Sequence, residues 1–174
     1  PLNKHALMDD NGNLLDTCDE IGEIVTRGPN IMEGYLDPEN ERGSWDNGWL
    51  RWGDMGKFDE DDLLVFVDRK KDAIKTGGEN VSSSRVEEVL LDHPDIEMAA
   101  VVGLPHEKWT EAITGVVHAS GDVSREELID YCKQSSLPEF AVPKDILFVE
   151  EFPKTETGKI QKARLRDEYS GHYE

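Results

Sequence analysis

Three groups of residues in this chain have the types and spacing to bind an anionic substrate, and one of them lies near the C-terminus. Lys159 follows the turn Thr155-Glu156-Thr157-Gly158. A lysine on a glycine-bearing loop can carry a point charge to a phosphate or a carboxylate. Because an ordinary solvated turn has the same pattern, this motif alone favours a structural interpretation.

A second candidate is Asp54, which ends the strand-like stretch Gly48-Trp49-Leu50-Arg51-Trp52-Gly53-Asp54. A carboxylate in this place can accept hydrogen bonds from two hydroxyl groups, as the recognition of a ribose requires. An aspartate that only shapes a turn is the alternative interpretation.

The third group is the cationic segment 68–81. Arg69 can donate a fork of hydrogen bonds to ribose or phosphate oxygens, and Gly77-Gly78 permits either close approach to a ligand or a tight hairpin. Six of the eleven lysines lie in this segment or around the C-terminal turn: Lys70, Lys71, Lys75, Lys154, Lys159 and Lys162. In a chain of net charge -19, this concentration favours an anionic substrate, and a solvated, charged hinge is the alternative interpretation.

Composition excludes several classes of function. A net charge of -19 over 174 residues disfavours binding to nucleic acids and anionic lipids. No apolar run approaches the roughly 20 residues of a membrane span, and no secretory signal is visible. The chain begins at Pro1 in the middle of a pattern, so we expect it to be a piece of a longer protein.

Cysteine usage and charge density bear on the environment. Cys18 and Cys132 have neither the spacing of a zinc site nor that of a disulfide framework, and two free thiols predict a reducing cytoplasm. The acidic residues are dispersed along the chain. This density favours a halophilic protein, because salt screens their mutual repulsion.

The order of predicted elements indicates two parts. Residues 1–67 resemble a β-rich remnant of a larger domain, with hairpin turns at Asn11-Gly12 and 59–62. The later part predicts a compact α+β domain in the order hairpin, helix, strand, strand, helix, strand, helix. Its predicted features are capping boxes at Ser84 and Ser124, strands over 98–104, 112–119 and 146–149, and a terminal helix over 162–169.

Taken together, the motifs resemble the C-terminal third of the adenylate-forming superfamily, which includes AMP-forming acyl-CoA synthetases, 4-coumarate–CoA ligases, luciferases and adenylation domains of peptide synthetases. The resemblance covers nearly the whole chain with order and spacing kept, and the segment 74–83 is most similar to the fatty-acid branch. It is carried by Gly22-Glu23-Ile24-Val25-x-Arg27-Gly28-Pro29, Gly34-Tyr35, Trp49-x-x-x-Gly53-Asp54, Asp68-Arg69-x-Lys71-Asp72-x-Ile74-Lys75-x-Gly77-Gly78 and Pro153-Lys154-Thr155-x-Thr157-Gly158-Lys159.

The resemblance implies a two-step reaction. A carboxylic acid, of fatty-acid type, reacts with Mg-ATP to give an acyl-adenylate and pyrophosphate, and the thiol of CoA then displaces AMP. Asp54 and Arg69 match the residues that contact the ribose. Lys159 matches the lysine that bridges the acid and the α-phosphate during adenylation, where a cation stabilises charge on the phosphorus oxygens.

The resemblance also implies a moving lid, residues 72–174, joined by a hinge at 68–71 to residues 1–67, the end of the large N-terminal domain. Asp68 and Lys71 are the hinge residues, with Lys71 as the pivot. After adenylation, Lys159 leaves the site and a loop enters to form the thioester channel. That loop carries Lys75, Gly77, Gly78 and Glu79.

Two residues depart from the pattern of the superfamily, and two motifs are missing. Trp52 stands where threonine is usual, and Thr110 stands where glycine is common. The phosphate loop and the Tyr-Gly-x-Thr-Glu segment, which belong to the missing N-terminal domain together with most of the Mg²⁺ site, are absent. We therefore assign no metal ligand in this chain, and we expect the isolated polypeptide to be unable to activate an acid.

Two alternatives remain open at this stage. One is an adenylation domain that loads a carrier protein rather than CoA. The other is a non-enzymatic interaction module, produced by a split or decayed gene.

Overall fold

The computed structural model describes residues 2–16, 20–37 and 44–174. The chain divides into two compact units, Pro1–Lys71 and Asp72–Glu174. Within the described residues, no helix has the length and apolar character needed to cross a bilayer. Cys18 lies outside these residues, so the predictions that concern it remain predictions.

The first unit is an antiparallel sheet of six strands in the order β2-β1-β3-β5-β4, with β6 also paired to β5. Leu7, Met8, Val25 and Leu50 are buried in this unit. The strands are β1 (Lys4–Met8), β2 (Leu14–Leu15), β3 (Gly22–Arg27), β4 (Trp45–Asp46), β5 (Trp49–Phe58) and β6 (Leu64–Arg69).

Two aspartates shape the two predicted turns in the same way. The Asp9 carboxylate accepts hydrogen bonds from the backbone N–H groups of Asn11 and Asn13, both at 2.8 Å. The Asp59 carboxylate accepts from Asp61 and Leu63 at 3.0 and 2.9 Å. The prediction that Asn11 and Gly12 both have positive φ was wrong, because only Gly12 does. Five residues join β1 to β2, so no two-residue turn is needed.

The second unit is a five-stranded sheet with three helices, which confirms the predicted α+β class and the order of its elements. Strands run β11-β10-β7-β8, with β9 also paired to β10. Only the β10–β11 pair is parallel among the pairs of this sheet that the structure describes. The elements are β7 (Ile74–Thr76), β8 (Glu79–Val81), α1 (Ser83–Leu91), β9 (Ile96–His106), β10 (Thr110–Ala119), α2 (Arg125–Gln134), β11 (Asp145–Phe148) and α3 (Lys162–Glu168).

Both faces of this second sheet are covered, which explains the nearly continuous apolar run in β9. On one face, Val101 packs in a cluster with Val86 and Leu90 of α1 and Leu128 of α2. On the other face, a smaller cluster contains Leu165 of α3 with Ala100, Val102, Leu104, Val116 and Phe152. Alternate residues of β9 therefore serve two separate cores.

The caps of α1 and α2 differ in how well the sequence predicts them. Ser124 and Glu127 form the predicted capping box of α2. For α1 the prediction of Ser84 was wrong, because Ser82 is the N-cap and accepts a hydrogen bond from Arg85 N at 3.3 Å. Ser83 is instead buried and accepts a hydrogen bond from Lys162 at 2.8 Å. Glu87, the partner expected for a capping box at Ser84, instead binds Lys162 and the backbone N–H of Val101.

We predict that Cys132 is chemically inert in the folded protein. Its side chain is buried, and burial raises the pKa of its thiol to about 11. At pH 8 only about one thiol in a thousand is then ionised, and the thiolate is the reactive form. Mass spectrometry after treatment with a thiol reagent should find Cys132 unmodified in native protein and modified in urea. Rapid labelling of the native protein at this site would contradict the prediction.

Candidate functional site

Asp54 and Arg69 face each other across β5 and β6. Arg69 Nε lies 2.9 Å from Asp54 Oδ1, with the aspartate side chain 29% exposed and the arginine 53% exposed. The prediction placed Asp54 at the end of a strand, but it lies inside β5, just before a register shift at Met55/Gly56. The structure therefore brings together the two predicted ribose-binding residues.

The Asp54 carboxylate has one oxygen that is shielded from solvent and lacks a hydrogen bond. Although Arg69 Nε is close, Oδ1 has no hydrogen-bond partner among the described residues. This oxygen is held by an ion pair with Arg69 whose geometry is not that of a hydrogen bond. The carboxylate can also accept hydrogen bonds from ligand hydroxyl groups.

An open cleft of about 430 Å³ adjoins this pair, lined by Trp52, Gly53, Arg69, Lys70 and Lys71. The Trp52 indole is 55% exposed, and its Nε1 donates a hydrogen bond to Thr26 Oγ1 at 2.8 Å. Trp52 therefore forms an aromatic wall of the cleft. The cleft combines this wall with cationic groups.

Glu23 holds together the segments that carry Asp54 and Arg69. Its carboxylate accepts hydrogen bonds from Arg51 at 2.5 and 2.9 Å, from Lys70 at 3.0 Å and from the backbone of Gly53 at 3.2 Å. The Glu23 side chain is only 5% exposed. Burial acts to raise its pKa, but the hydrogen bonds from Arg51 and Lys70 outweigh burial and lower it. Glu23 thus connects β3 to both segments that carry Asp54 and Arg69.

The predicted hinge residues lie at the end of the first unit. Asp68 is buried and accepts a hydrogen bond from the backbone N–H of Arg69 at 2.7 Å. Lys71 is exposed and sits in the single 3-10 turn Lys70–Asp72. The boundary between the two units falls directly after Lys71.

The segment predicted to line the CoA channel is a tight hairpin of the second unit. β7 and β8 pair through Ile74–Val81, Lys75–Asn80 and Thr76–Glu79, so Gly77-Gly78 forms the two-residue turn. Both glycines have positive φ, +58° and +91°, as this turn requires. Lys75 and Glu79 are exposed.

Trp109 lies against this turn. The backbone N–H of Gly77 donates to the carbonyl of Trp109 at 2.9 Å. The ammonium groups of Lys108 and Lys144 lie 4.3 and 5.2 Å from the centre of the indole ring, within the range of cation–π attraction. This cationic, aromatic surface was not assigned from the sequence.

Thr110, one of the two departures from the superfamily pattern, has φ +69°. This left-handed conformation is unfavourable for a β-branched residue and natural for glycine. We predict that Thr110→Gly stabilises the second unit by about 0.5–1 kcal/mol, after the entropy of the more flexible unfolded chain is subtracted. Thr110→Ala keeps a Cβ and should gain less. Hydrogen exchange of β7 and β10 measures the effect, and lower protection in Thr110→Gly would contradict it.

Lys159 ends a hairpin turn that its neighbours hold in place. Gly158, with φ +83°, donates its N–H to the carbonyl of Thr155 at 2.9 Å, and Thr155 N donates to the Lys159 carbonyl at 2.8 Å. The Thr155 hydroxyl accepts from Lys159 N at 3.1 Å. The backbone at Lys159 is thus fixed although the segment is exposed.

The Lys159 side chain is exposed, and none of the residues that the structure describes forms an ion pair with its ammonium group. Lys162, three residues later, differs completely. Its Nζ lies 2.6 Å from Glu87 Oε1 and also donates to Ser83. The lysines near the C-terminus therefore differ in role. Lys159 has an exposed ammonium group, whereas the ammonium group of Lys162 is held by Glu87 and Ser83.

The site residues are divided between the two units. Asp54, Arg69 and Asp68 belong to the first, and Lys159 and the 75–79 hairpin belong to the second. The sequence interpretation missed Glu23 and Trp109. The signal for Glu23 was present, because an acidic residue stood in an apolar strand; Trp109 carried no local signal. Within the described ranges, no cluster of three or more His, Cys, Asp or Glu side chains has a metal-binding arrangement.

Comparison with known proteins gives consistent results. Residues 85–159 match the family described as AMP-binding enzyme C-terminal domain. A 2-succinylbenzoate–CoA ligase of Bacillus cereus is 42% identical over 146 residues, which are 83% of this chain and 30% of the relative. The 2-methylpropanoate–CoA ligase CCL4 of Humulus lupulus is 46% identical over 153 residues, 84% of this chain and 27% of the relative. The chain thus spans less than a third of the length of these relatives.

A solved structure agrees with these relatives. The crystal structure of ATP-bound MatB from Rhodopseudomonas palustris matches 100% of this chain and 35% of its own chain, with a TM-score of 0.90 and 30% identity. The apo structure of the same protein matches 100% of this chain and 35% of its own at 31% identity, with a TM-score of 0.70. The two crystal structures of that protein therefore differ in the matched part. From the family match, the relatives and the fold, residues 85–159 belong to the AMP-binding enzyme C-terminal domain family, and the chain as a whole is similar to the C-terminal part of adenylate-forming enzymes.

Proposed function

We propose that the chain is the C-terminal part of an AMP-forming acid–CoA ligase that makes an acyl-adenylate from a carboxylic acid and ATP and then transfers the acyl group to CoA. The observation that carries this proposal is the Asp54–Arg69 pair beside an open cleft lined by Trp52 and Lys70. The 2-succinylbenzoate–CoA ligase and the 2-methylpropanoate–CoA ligase described above are acid–CoA ligases, which supports the same reaction.

In this proposal the Asp54 carboxylate accepts hydrogen bonds from the ribose hydroxyls of ATP. A carboxylate has two acceptor oxygens, and a ribose supplies two adjacent hydroxyl donors. Arg69, half exposed beside it, can donate to the ribose from its remaining N–H groups. The Trp52 wall gives the sugar or base an apolar surface to pack on. Glu23 holds Arg51, Gly53 and Lys70 in place and so fixes the geometry of the clamp.

Lys159 is the proposed catalytic cation of the first step. It must bring two anions together, the carboxylate of the acid and the α-phosphate, and stabilise the charge that develops on the phosphorus oxygens. Its fixed backbone and exposed, unpaired ammonium group suit that role, because no internal ion pair among the described residues has to break first.

We propose that residues 68–71 are a hinge between residues 1–67 and the lid of residues 72–174. The compact units meet at this place in the sequence, and the resemblance to the superfamily implies a hinge here. Rotation would remove Lys159 after adenylation and present the 75–79 hairpin for thioester formation.

We propose that the 75–79 hairpin and Trp109 bind CoA for the step in which its thiol attacks the acyl-adenylate. An indole flanked by the cations of Lys108 and Lys144 suits an adenine ring that carries phosphate groups. The Gly77-Gly78 turn has no side chain to block the approach of a pantetheine arm. Lys75, exposed on the same hairpin, adds a further positive charge.

The acid substrate is proposed from the similarity of one segment of the sequence. We keep the fatty-acid type on the similarity of the segment 74–83, although the relatives reported above act on 2-succinylbenzoate and 2-methylpropanoate. Mg²⁺ would accompany ATP. The described residues offer no cluster to bind it, so no step is assigned to it here. Cytoplasmic location and halophily remain proposals, and the second is tested by comparing stability in dilute buffer and in molar KCl.

The decisive experiment uses the full-length protein with ATP and a panel of acids, including fatty acids, 2-methylpropanoate and 2-succinylbenzoate. Acid-dependent release of pyrophosphate followed by CoA-dependent release of AMP supports the proposal. Asp54→Ala should weaken ATP binding and raise KM for ATP. Transfer to a carrier protein but not to CoA would favour the alternative adenylation domain, and absence of any turnover would favour an interaction module. The isolated 174-residue chain should show no turnover.

A further inference from the structure

The residues on either side of Lys71 are held to different units. Lys70 Nζ lies 2.7 Å from Asp10 Oδ1 and 3.0 Å from Glu23 Oε2, both in the first unit. Asp72 Oδ1 lies 2.7 Å from Arg166 Nη2, in the second unit. These three ion pairs, two made by Lys70 and one by Asp72, bracket Lys71 at a distance of one residue on each side.

The bracket on the first unit rests on a rigid base. Glu23 is nearly completely buried and is held by two hydrogen bonds from Arg51 and one from Gly53 N. Before Lys70, the chain is also fixed by the β5–β6 pairing of Arg69 and by buried Asp68. Torsion within residues 68–70 would therefore break several contacts at once.

The bracket on the second unit is also built on packed structure. Arg166 lies on α3, which buries Leu165 and which Lys162 ties to Glu87 of α1. Asp72 and Arg166 have side chains only 13% and 27% exposed, so water screens this pair less than a surface ion pair. Shortly after Asp72, Ile74 enters the core.

We propose that Lys70 and Arg166 are positioning residues that confine the rotation between the two units to the backbone of Lys71. Lys70 holds the chain to the first unit, and Arg166 holds it to the second through Asp72. This inference rests on the proposed rotation. If rotation is confined to Lys71, the lid moves between two defined orientations. If several residues rotate, the lid also adopts many orientations in which neither Lys159 nor the hairpin reaches the reacting atoms.

The test is a double-mutant comparison in the full-length ligase. Lys71→Pro locks φ at this residue and should reduce transfer from supplied acyl-adenylate to CoA while sparing pyrophosphate release. In a Lys70→Met/Arg166→Met background, neighbouring torsions become available, so the loss caused by Lys71→Pro should shrink at least about tenfold. The loss in each background is the ratio of the transfer rates without and with Lys71→Pro. A direct effect of Lys70→Met on nucleotide binding therefore cancels.

The outcomes separate the two proposals. If Lys71→Pro costs the same in both backgrounds, the bracket is wrong and the rotation stands. If Lys71→Pro has no effect in the wild-type background, the rotation about Lys71 is itself wrong. Lys133→Met is the matched control, since it removes a lysine from an exposed ion pair with Asp130 on α2; it should leave the full loss unchanged.

A second measurement avoids proline and its risk of misfolding. Hydrogen exchange of the backbone amides 70–73 should accelerate about tenfold in Lys70→Met/Arg166→Met, because local opening no longer breaks the three ion pairs of Lys70 and Arg166. The Lys133→Met protein should exchange as the wild type does. Unchanged exchange in the double variant would overturn the bracket.

Discussion

Replacing Lys159 with alanine in the full-length ligase should lower the rate of adenylation by a factor of about 10²–10³, the usual effect of removing one group that stabilises transition-state charge. Transfer of the acyl group from supplied acyl-adenylate to CoA should change little, because the proposed rotation removes Lys159 from the site before that step. Pyrophosphate release and thioester formation, measured separately in single-turnover experiments, check the prediction.

Lys133→Ala is the matched control for this experiment. It removes a lysine of the same unit whose ammonium group pairs with Asp130 at 2.7 Å on the surface of α2, and both half-reactions should remain at the wild-type rate. Equal losses of adenylation and thioester formation in Lys159→Ala would refute the assigned role, since a purely structural defect would slow both.

The second large effect is expected on stability. Glu23→Gln leaves Arg51 and Lys70 without their shared carboxylate in a site where the glutamate is 5% exposed. Removing one partner from a buried charged cluster costs about 3 kcal/mol or more. Hydrogen exchange of peptides that cover β3 and β5, measured in the full-length protein, should show the loss of protection. Wild-type protection in both strands would contradict the prediction.

Asp46→Asn is the control for Glu23, because Asp46 pairs with the same arginine at 3.5 Å but is 29% exposed. An exposed pair of this kind contributes at most about 1 kcal/mol, so the change should be small. The two variants differ in the burial of the carboxylate that they remove. A loss in Asp46→Asn as large as in Glu23→Gln would show that burial is not the cause.

The Glu23 effect also has a defined dependence on pH. Hydrogen bonds from Arg51 and Lys70 outweigh burial and keep the pKa of Glu23 below its ordinary value of 4.5. A carboxyl group with a depressed pKa stabilises the fold above its unfolded pKa and loses that contribution as the pH falls through the folded value. The difference in stability between wild type and Glu23→Gln should therefore be full at neutral pH and shrink below pH 4.5.

Local sequence determined much of the fold because short-range chemistry governs it. Ser124 and Glu127 lie three residues apart, so the cap of α2 closes without help from the rest of the chain. A two-residue hairpin turn requires positive φ, and glycine adopts positive φ at little cost. Gly77-Gly78 between two strands therefore favours a hairpin. The motifs around Asp54, Arg69 and Lys159 likewise identified the superfamily, because their order and spacing survive in the sequence itself.

Tertiary structure decided which of several chemically similar serines caps a helix and which of several lysines is held in an ion pair. The local pattern favours Ser84 as the cap, because Glu87 stands three residues later, but Ser82 caps the helix and Glu87 binds Lys162 and the backbone N–H of Val101. Lysines that look alike in the sequence separate into Lys159, exposed and unpaired among the described residues, and Lys70 and Lys162, each held by carboxylates from distant elements. The reason is physical: the role of a charge depends on its burial and its partners, and these are properties of three-dimensional packing that residue order does not contain.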